Sequence, residues 1–211
     1  MELEQLAEAK IKEGKEGKKQ FLLGHIKAVD VEAGTVEGHV STFQFDRMDE
    51  RFAPGALDTK NFSDNPVVMW DHGHSEIRGR LPIGKSIHME EDKVGLFSKT
   101  QFDKADAFSL QILGLYSRGF LNAFSVGFIP KDFVIEDMPK EGQEKRKGLV
   151  WTEAELLEYS AVSVPANPGA LVSRDVASLA RKALGENSIA MVKAFGSEQF
   201  LAMPQKHEDL K

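Results

Sequence analysis

From Gln20 onward the chain settles into an alternation of apolar and polar positions. The stretch FLLGHIKAVDVEAGTVEGHVSTFQF keeps that period of two on both sides of Glu32-Ala33-Gly34-Thr35, a group with the composition of a hairpin turn. It therefore predicts two antiparallel strands. DRMDERFAPGALD carries Pro54-Gly55 and several charges and predicts a surface loop. Asn65-Pro66-Val67-Val68-Met69-Trp70 follows as a short buried strand that delivers Asp71 and His72 at its end. KSIHME and VGLFSKTQF flank Glu91-Asp92-Lys93 and predict a second hairpin.

The period then becomes helical. Asp106 reads as an N-cap, Phe108, Ile112, Leu115 and Tyr116 line one face, and Gly119 after Arg118 supplies the stop. LNAFSVGFI predicts a strand and EDMPKEGQEKRKG an exposed, mobile loop. LVWTEAELLEYSAVSVPANPGA begins as a long strand and ends at Pro165 and Pro168, since proline cannot donate to a ladder. A second helix is predicted from Ala170 to Leu184, with Val172, Val176, Leu179, Ala180 and Ala183 on one face and Gly185 as its stop.

The two ends lack such patterning. Leu3, Leu6 and Ile11 are set among many charges, too little apolar area to offset the entropy of ordering, so residues 1–19 read as a frayed helix, a charged arm or a propeptide. Residues 20–185 form the expected domain, and 186–211 a short helix and flexible tail.

Composition narrows the chemistry. A chain of 211 residues that is 41% hydrophobic suits one domain with a real core. Lys+Arg 27 against Asp+Glu 33 leaves a net charge of −6, so no global basic field exists to hold nucleic acid or an anionic membrane. The absence of cysteine excludes disulfides, thiolate metal sites and a cysteine nucleophile. No stretch approaches the roughly 18 apolar residues of a membrane helix, and the N-terminus lacks the apolar run of a secretory signal, so a soluble protein is expected.

Any nucleophile must then be an oxygen or an amine. On a strand through LNAFSVGF, Asn122, Phe124, Val126 and Phe128 point one way and Ala123, Ser125 and Gly127 the other. A serine on so bare a face has its hydroxyl open to an extended peptide, which suits attack on an acyl group; the same pattern also suits close packing against a helix. Serine needs a base, normally histidine held by an acceptor. Of six histidines, His72 stands out because it ends an apolar strand before a polar, glycine-containing loop, although a simple exposed strand end fits too. Asp71-His72-Gly73-His74 also invites a metal reading, while nothing places His39 or His88. Among Glu153, Glu155 and Glu158, Glu158 interrupts an apolar run, where burial demands a partner such as an imidazole N–H; an outward charge guarding an edge strand is the other reading.

These pieces line up with a known family. The chain resembles the prohead (head maturation) proteases of tailed bacteriophages, serine peptidases similar in fold to the herpesvirus assemblins. The matching blocks are GHVSTFQFDRMDERFAPGAL at 38–57, NPVVMWDH at 65–72 with LPIGKS at 81–86, VGLFSKTQF at 94–102, GFLNAFSVGF at 119–128 and LLEYSAVSVPANPGA at 156–170. The resemblance implies an α+β fold with a small β-barrel flanked by helices. It implies a Ser-His-Glu triad as well, with Ser125 as nucleophile, His72 as base and Glu158 orienting His72, and no cofactor or metal. It further implies action inside the immature capsid in the host cytoplasm, on the scaffold region of the major capsid protein precursor and on the protease itself. The arm 1–19 and the tail with Ala202-Met203-Pro204 would then be targeting or self-cleaved segments. Neither a membrane nor a specific nucleic acid is an expected partner, and a homo-oligomer is left open.

Overall fold

The computed structural model describes residues 3–16, 20–46, 48–74, 81–138 and 146–163. In chain order the elements are helix α1 (Leu3–Lys15), strands β1 (Gln20–Asp30), β2 (Thr35–Thr42), β3 (Glu50–Phe52) and β4 (Leu57–Asp58), and helix α2 (Lys60–Asp64). Strands β5 (Val67–Trp70), β6 (Gly84–Glu91) and β7 (Gly95–Phe102), helix α3 (Ala107–Ser117), and strands β8 (Ala123–Asp137) and β9 (Lys147–Val162) follow. The two predicted hairpins are β1–β2 and β6–β7, and the first predicted helix is α3. Among the described residues no helix is long and apolar enough to cross a membrane.

The strands form one mixed sheet in the order β3-β9-β5-β6-β7-β2-β1-β8, and β8 pairs again with β9, so the sheet curls back on itself. With three helices against it, this is an α+β architecture. β9 organises the sheet. β8 runs antiparallel along one side of it, from Ala123↔Val162 to Asp137↔Lys147, while β3, β4 and β5 lie parallel along the other.

Alternation along β8 and β9 decides what enters the core. Phe124, Val126 and Phe128 of β8 and Trp151, Leu156, Tyr159 and Ala161 of β9 are wholly buried. Their rings meet at angles: Phe52 and Phe128 lie 4.7 Å apart, Phe124 and Tyr159 5.3 Å, and Tyr116 and Phe124 5.4 Å. Each such contact is worth about 0.5–1.5 kcal/mol beyond the area it buries. The Tyr159 hydroxyl is tied to Ser98 Oγ at 2.9 Å and Thr100 Oγ1 at 2.8 Å, which leaves that buried polar group satisfied.

Helix α3 fixes the start of β8. Asp106 caps it by accepting the Ser109 N–H at 3.1 Å, and Gly119, at φ +74°, takes the left-handed conformation that stops it. Ile112 and Tyr116 are buried as the stripe predicts, and Leu113 joins them. Tyr116 donates its hydroxyl proton to Ala123 O at 2.7 Å, two residues before Ser125. Burial pushes the phenol well above its ordinary pKa, so that donor is permanent.

Three segments differ from the sequence-based expectation. DRMDERFAPGALD is more than a surface loop, because it contains β3 and β4 and buries Phe52 and Ala56. EDMPKEGQEKRKG shrinks from both ends, with β8 running to Asp137 and β9 starting at Lys147. Leu3–Lys15 packs where too little apolar area had been counted. The contact is made through small residues: Ala7 is fully buried and the Gly14 backbone lies against Ile129 and Pro130, while Ile11 packs on the core and Lys10 pairs with buried Glu50. Pro165, Pro168, the helix expected at Ala170–Leu184 and the tail lie outside the described residues.

Candidate active site

β5 ends at Trp70, and the next three residues all take positive φ: Asp71 at +49°, His72 at +54° and Gly73 at +73°. Left-handed backbone costs an ordinary residue roughly 1–2 kcal/mol, and Asp, His and Gly adopt it more readily than most. Asp-His-Gly is thus suited to a tight reversal that lays His72 against β9. The parallel register Met69↔Ser160 and Trp70↔Ala161 sets where that reversal falls.

His72 donates its Nδ1–H to Glu158 Oε1 at 2.7 Å, and the Ser160 hydroxyl donates to Glu158 Oε2, also at 2.7 Å. The backbone N–H of His72 in turn donates to Ser160 Oγ at 3.0 Å. Glu158 is 5% exposed and Ser160 wholly buried, so the carboxylate is satisfied inside the protein by an imidazole and a hydroxyl. The reading of Glu158 as an outward edge charge is excluded, since β9 is paired on both sides.

A β-bulge aims Glu158. Across β8 and β9, Gly127 faces Glu158 and Phe128 faces Leu156, which leaves Leu157 as the extra residue. Leu156 and Tyr159 can then both enter the core although they are three residues apart, and Glu158 and Ser160 share the opposite face. Gly127 opposite Glu158 offers no side chain to crowd the carboxylate. Ser125 stands directly opposite Ser160, a placement that brings side chains to about 4.5–5.5 Å between Cβ atoms. The register therefore gathers Ser125, Ser160, Glu158 and the His72 turn on one face.

That face is less open than the bare pattern Ala123, Ser125, Gly127 suggests. Ser125 is 4% exposed, because β8 is paired here with both Leu23 of β1 and Ser160 of β9 and shares its remaining face with the acid and the histidine turn. Four other candidates have partners elsewhere. Glu155 accepts from Asn61 Nδ2 at 2.8 Å and lies 3.6 Å from Lys131, and exposed Glu153 is 4.0 Å from the same lysine. His39 contacts both Asp92 oxygens at 2.9 Å, and His88 lies 3.6 Å from Glu90. The His74 ring is 6.3 Å from that of His72, and among the described residues no group of three His, Asp or Glu side chains stands close enough to hold a metal. Ser160 is the member that sequence reasoning missed. Its signal was its place two residues after Glu158, which puts it on the same strand face.

The family model of the caudovirus prohead serine proteases matches residues 24–183. The chain belongs to this family. Membership among the prohead serine proteases makes it a serine peptidase of phage head maturation, and the matched span takes in Ser125, His72 and Glu158. Comparison with curated proteins and with solved structures finds no match.

Proposed function

We propose that the chain is an endopeptidase in which Ser125, His72 and Glu158 act as a triad. The observation that carries this reading is the buried His72–Glu158 pair on the strand face shared with the only serine of β8. With Nδ1–H committed to the carboxylate, the role of base falls to Nε2 of His72. Nε2 takes the Ser125 proton as Oγ attacks the scissile carbonyl, then hands it to the leaving amine as the C–N bond breaks. Water, activated by the same nitrogen, cleaves the acyl-enzyme and restores Ser125. Glu158 fixes the tautomer and stabilises the imidazolium at each transfer.

The substrates that fit a prohead protease are the scaffold region of the major capsid protein precursor and the protease itself, met inside the immature capsid in the host. The domain then divides as a propeptide or arm at 1–19, a protease unit at 20–185 and a self-cleaved tail at 186–211, and the curled sheet fits an assemblin-like barrel. The test is digestion of the capsid protein precursor by the wild-type chain beside Ser125→Ala. Cleavage by the wild type alone is the expected result. Equal cleavage by both would overturn the nucleophile, and no cleavage by either, with head assembly intact, would favour a binding role in assembly.

A further inference from the structure

The hydrogen-bond ring around Glu158 passes through Ser160 twice. The hydroxyl proton goes to Glu158 Oε2 at 2.7 Å, an oxygen lone pair accepts the His72 backbone N–H at 3.0 Å, and His72 Nδ1–H closes the ring on Oε1 at 2.7 Å. A hydroxyl has a single proton, and a backbone N–H can only donate, so the direction of each bond is fixed. Ser160 is wholly buried, so removing its oxygen takes a donor from Glu158 Oε2 and an acceptor from the His72 N–H at a place that water does not readily reach. The N–H it holds belongs to a residue at φ +54° that follows another at +49°, a backbone that persists only where its surroundings over-determine it. The strand register sets this same hydroxyl opposite Ser125.

We infer that Ser160 is a positioning residue, holding the Glu158 carboxylate and the His72 backbone in the one arrangement that presents the imidazole to Ser125. The inference rests on the triad reading above. Ser160 touches no reacting atom; it acts through the two residues it joins. Without it the carboxylate loses one of the bonds that set its terminal torsion, and the left-handed turn loses the acceptor of the His72 N–H.

The test uses the full-length chain and the variants Ser160→Ala, Ser160→Thr and Ser125→Ala. It reads kcat and KM on a capsid-precursor peptide, the Tm, and the proton resonance of His72 Nδ1–H, assigned by its loss in His72→Gln. Ser160→Ala should lower kcat roughly ten- to a hundred-fold with KM changed less than about two-fold, the signature of a loss felt at the transition state. The His72 resonance should shift or broaden away. Ser160→Thr keeps the hydroxyl and should recover both signals. Wild-type kcat and resonance in Ser160→Ala, or a lowered Tm with both unchanged, would overturn the inference. Activity surviving in Ser125→Ala overturns the triad itself, whereas an inactive Ser125→Ala beside an unimpaired Ser160→Ala overturns the positioning role alone.

Discussion

β9 serves a buried carboxylate cluster at each end, and the two are satisfied by different chemistry. Toward its C-terminal end Glu158 takes an imidazole N–H and a hydroxyl. Toward its N-terminal end Trp151 donates Nε1–H to Glu50 at 3.2 Å, Lys10 of α1 pairs with the other Glu50 oxygen, and Asp46 accepts the N–H groups of Met48 at 2.7 Å and Glu50 at 3.0 Å. A lysine ammonium only donates, whereas a neutral imidazole offers one donor and one acceptor nitrogen. In the proposed triad the first cluster would pass protons to and from Ser125; the second pins α1 and β3 to the sheet. Burial of an acid is therefore no sign of catalysis in itself. The kind of partner, and a serine on the same strand face, set the two ends apart.

Matched substitutions should separate the two ends most strongly. Glu158→Gln leaves the fold but offers His72 an ambiguous partner, and kcat should drop by about 10³–10⁴ with the Tm little changed. Lys10→Ala should do the reverse. It takes the paired cation from Glu50, whose side chain is 4% exposed and keeps the Trp151 N–H, and should cost about 3 kcal/mol, a Tm loss on the order of 10 °C, with activity per folded molecule within about two-fold. Steady-state kinetics and thermal melts on both variants check this, and a loss of activity at unchanged Tm in Lys10→Ala would erase the distinction.

A smaller effect is expected from pH. Burial pushes the Asp46 pKa up from 3.8 to about 6; the N–H groups of Glu50 and Met48 oppose the shift, the Glu50 charge adds to it and Lys10 opposes it. The folded state thus holds this proton more tightly than the unfolded one. The group favours folding below about pH 4, and its contribution is lost as pH rises through about 6. Melts of Asp46→Asn against wild type should show the Tm difference moving in the variant's favour between pH 4 and 7 and levelling off above; a difference flat with pH would remove Asp46 from the comparison.

Much of this was readable from local pattern. The two hairpins, α3 with its Asp106 cap, the strands carrying Ser125 and Glu158, and the strand that ends just before His72 each follow from local period and turn chemistry. The spacing of Ser160 from Glu158 placed the two on one strand face, but its bond to the His72 N–H was not readable, because the register between β5 and β9 brings that turn to Ser160, and registers between strands distant in sequence leave no local trace. Strands of two and three residues, such as β4 and β3, are too short to display a period. The seat of α1 was missed for a related reason: close approach through Ala7 and Gly14 buries backbone and small side chains that an inventory of large apolar groups does not count.

The proposal that Ser125 is a nucleophile activated by His72 and Glu158 is tested most directly by reaction with a fluorophosphonate, followed by peptide mapping of the adduct in the wild-type chain and in Glu158→Gln. A single adduct on Ser125, formed far more slowly in the variant, is the predicted result. An adduct on another residue, or a Ser125 that stays unmodified while the capsid precursor is still cleaved, would contradict it.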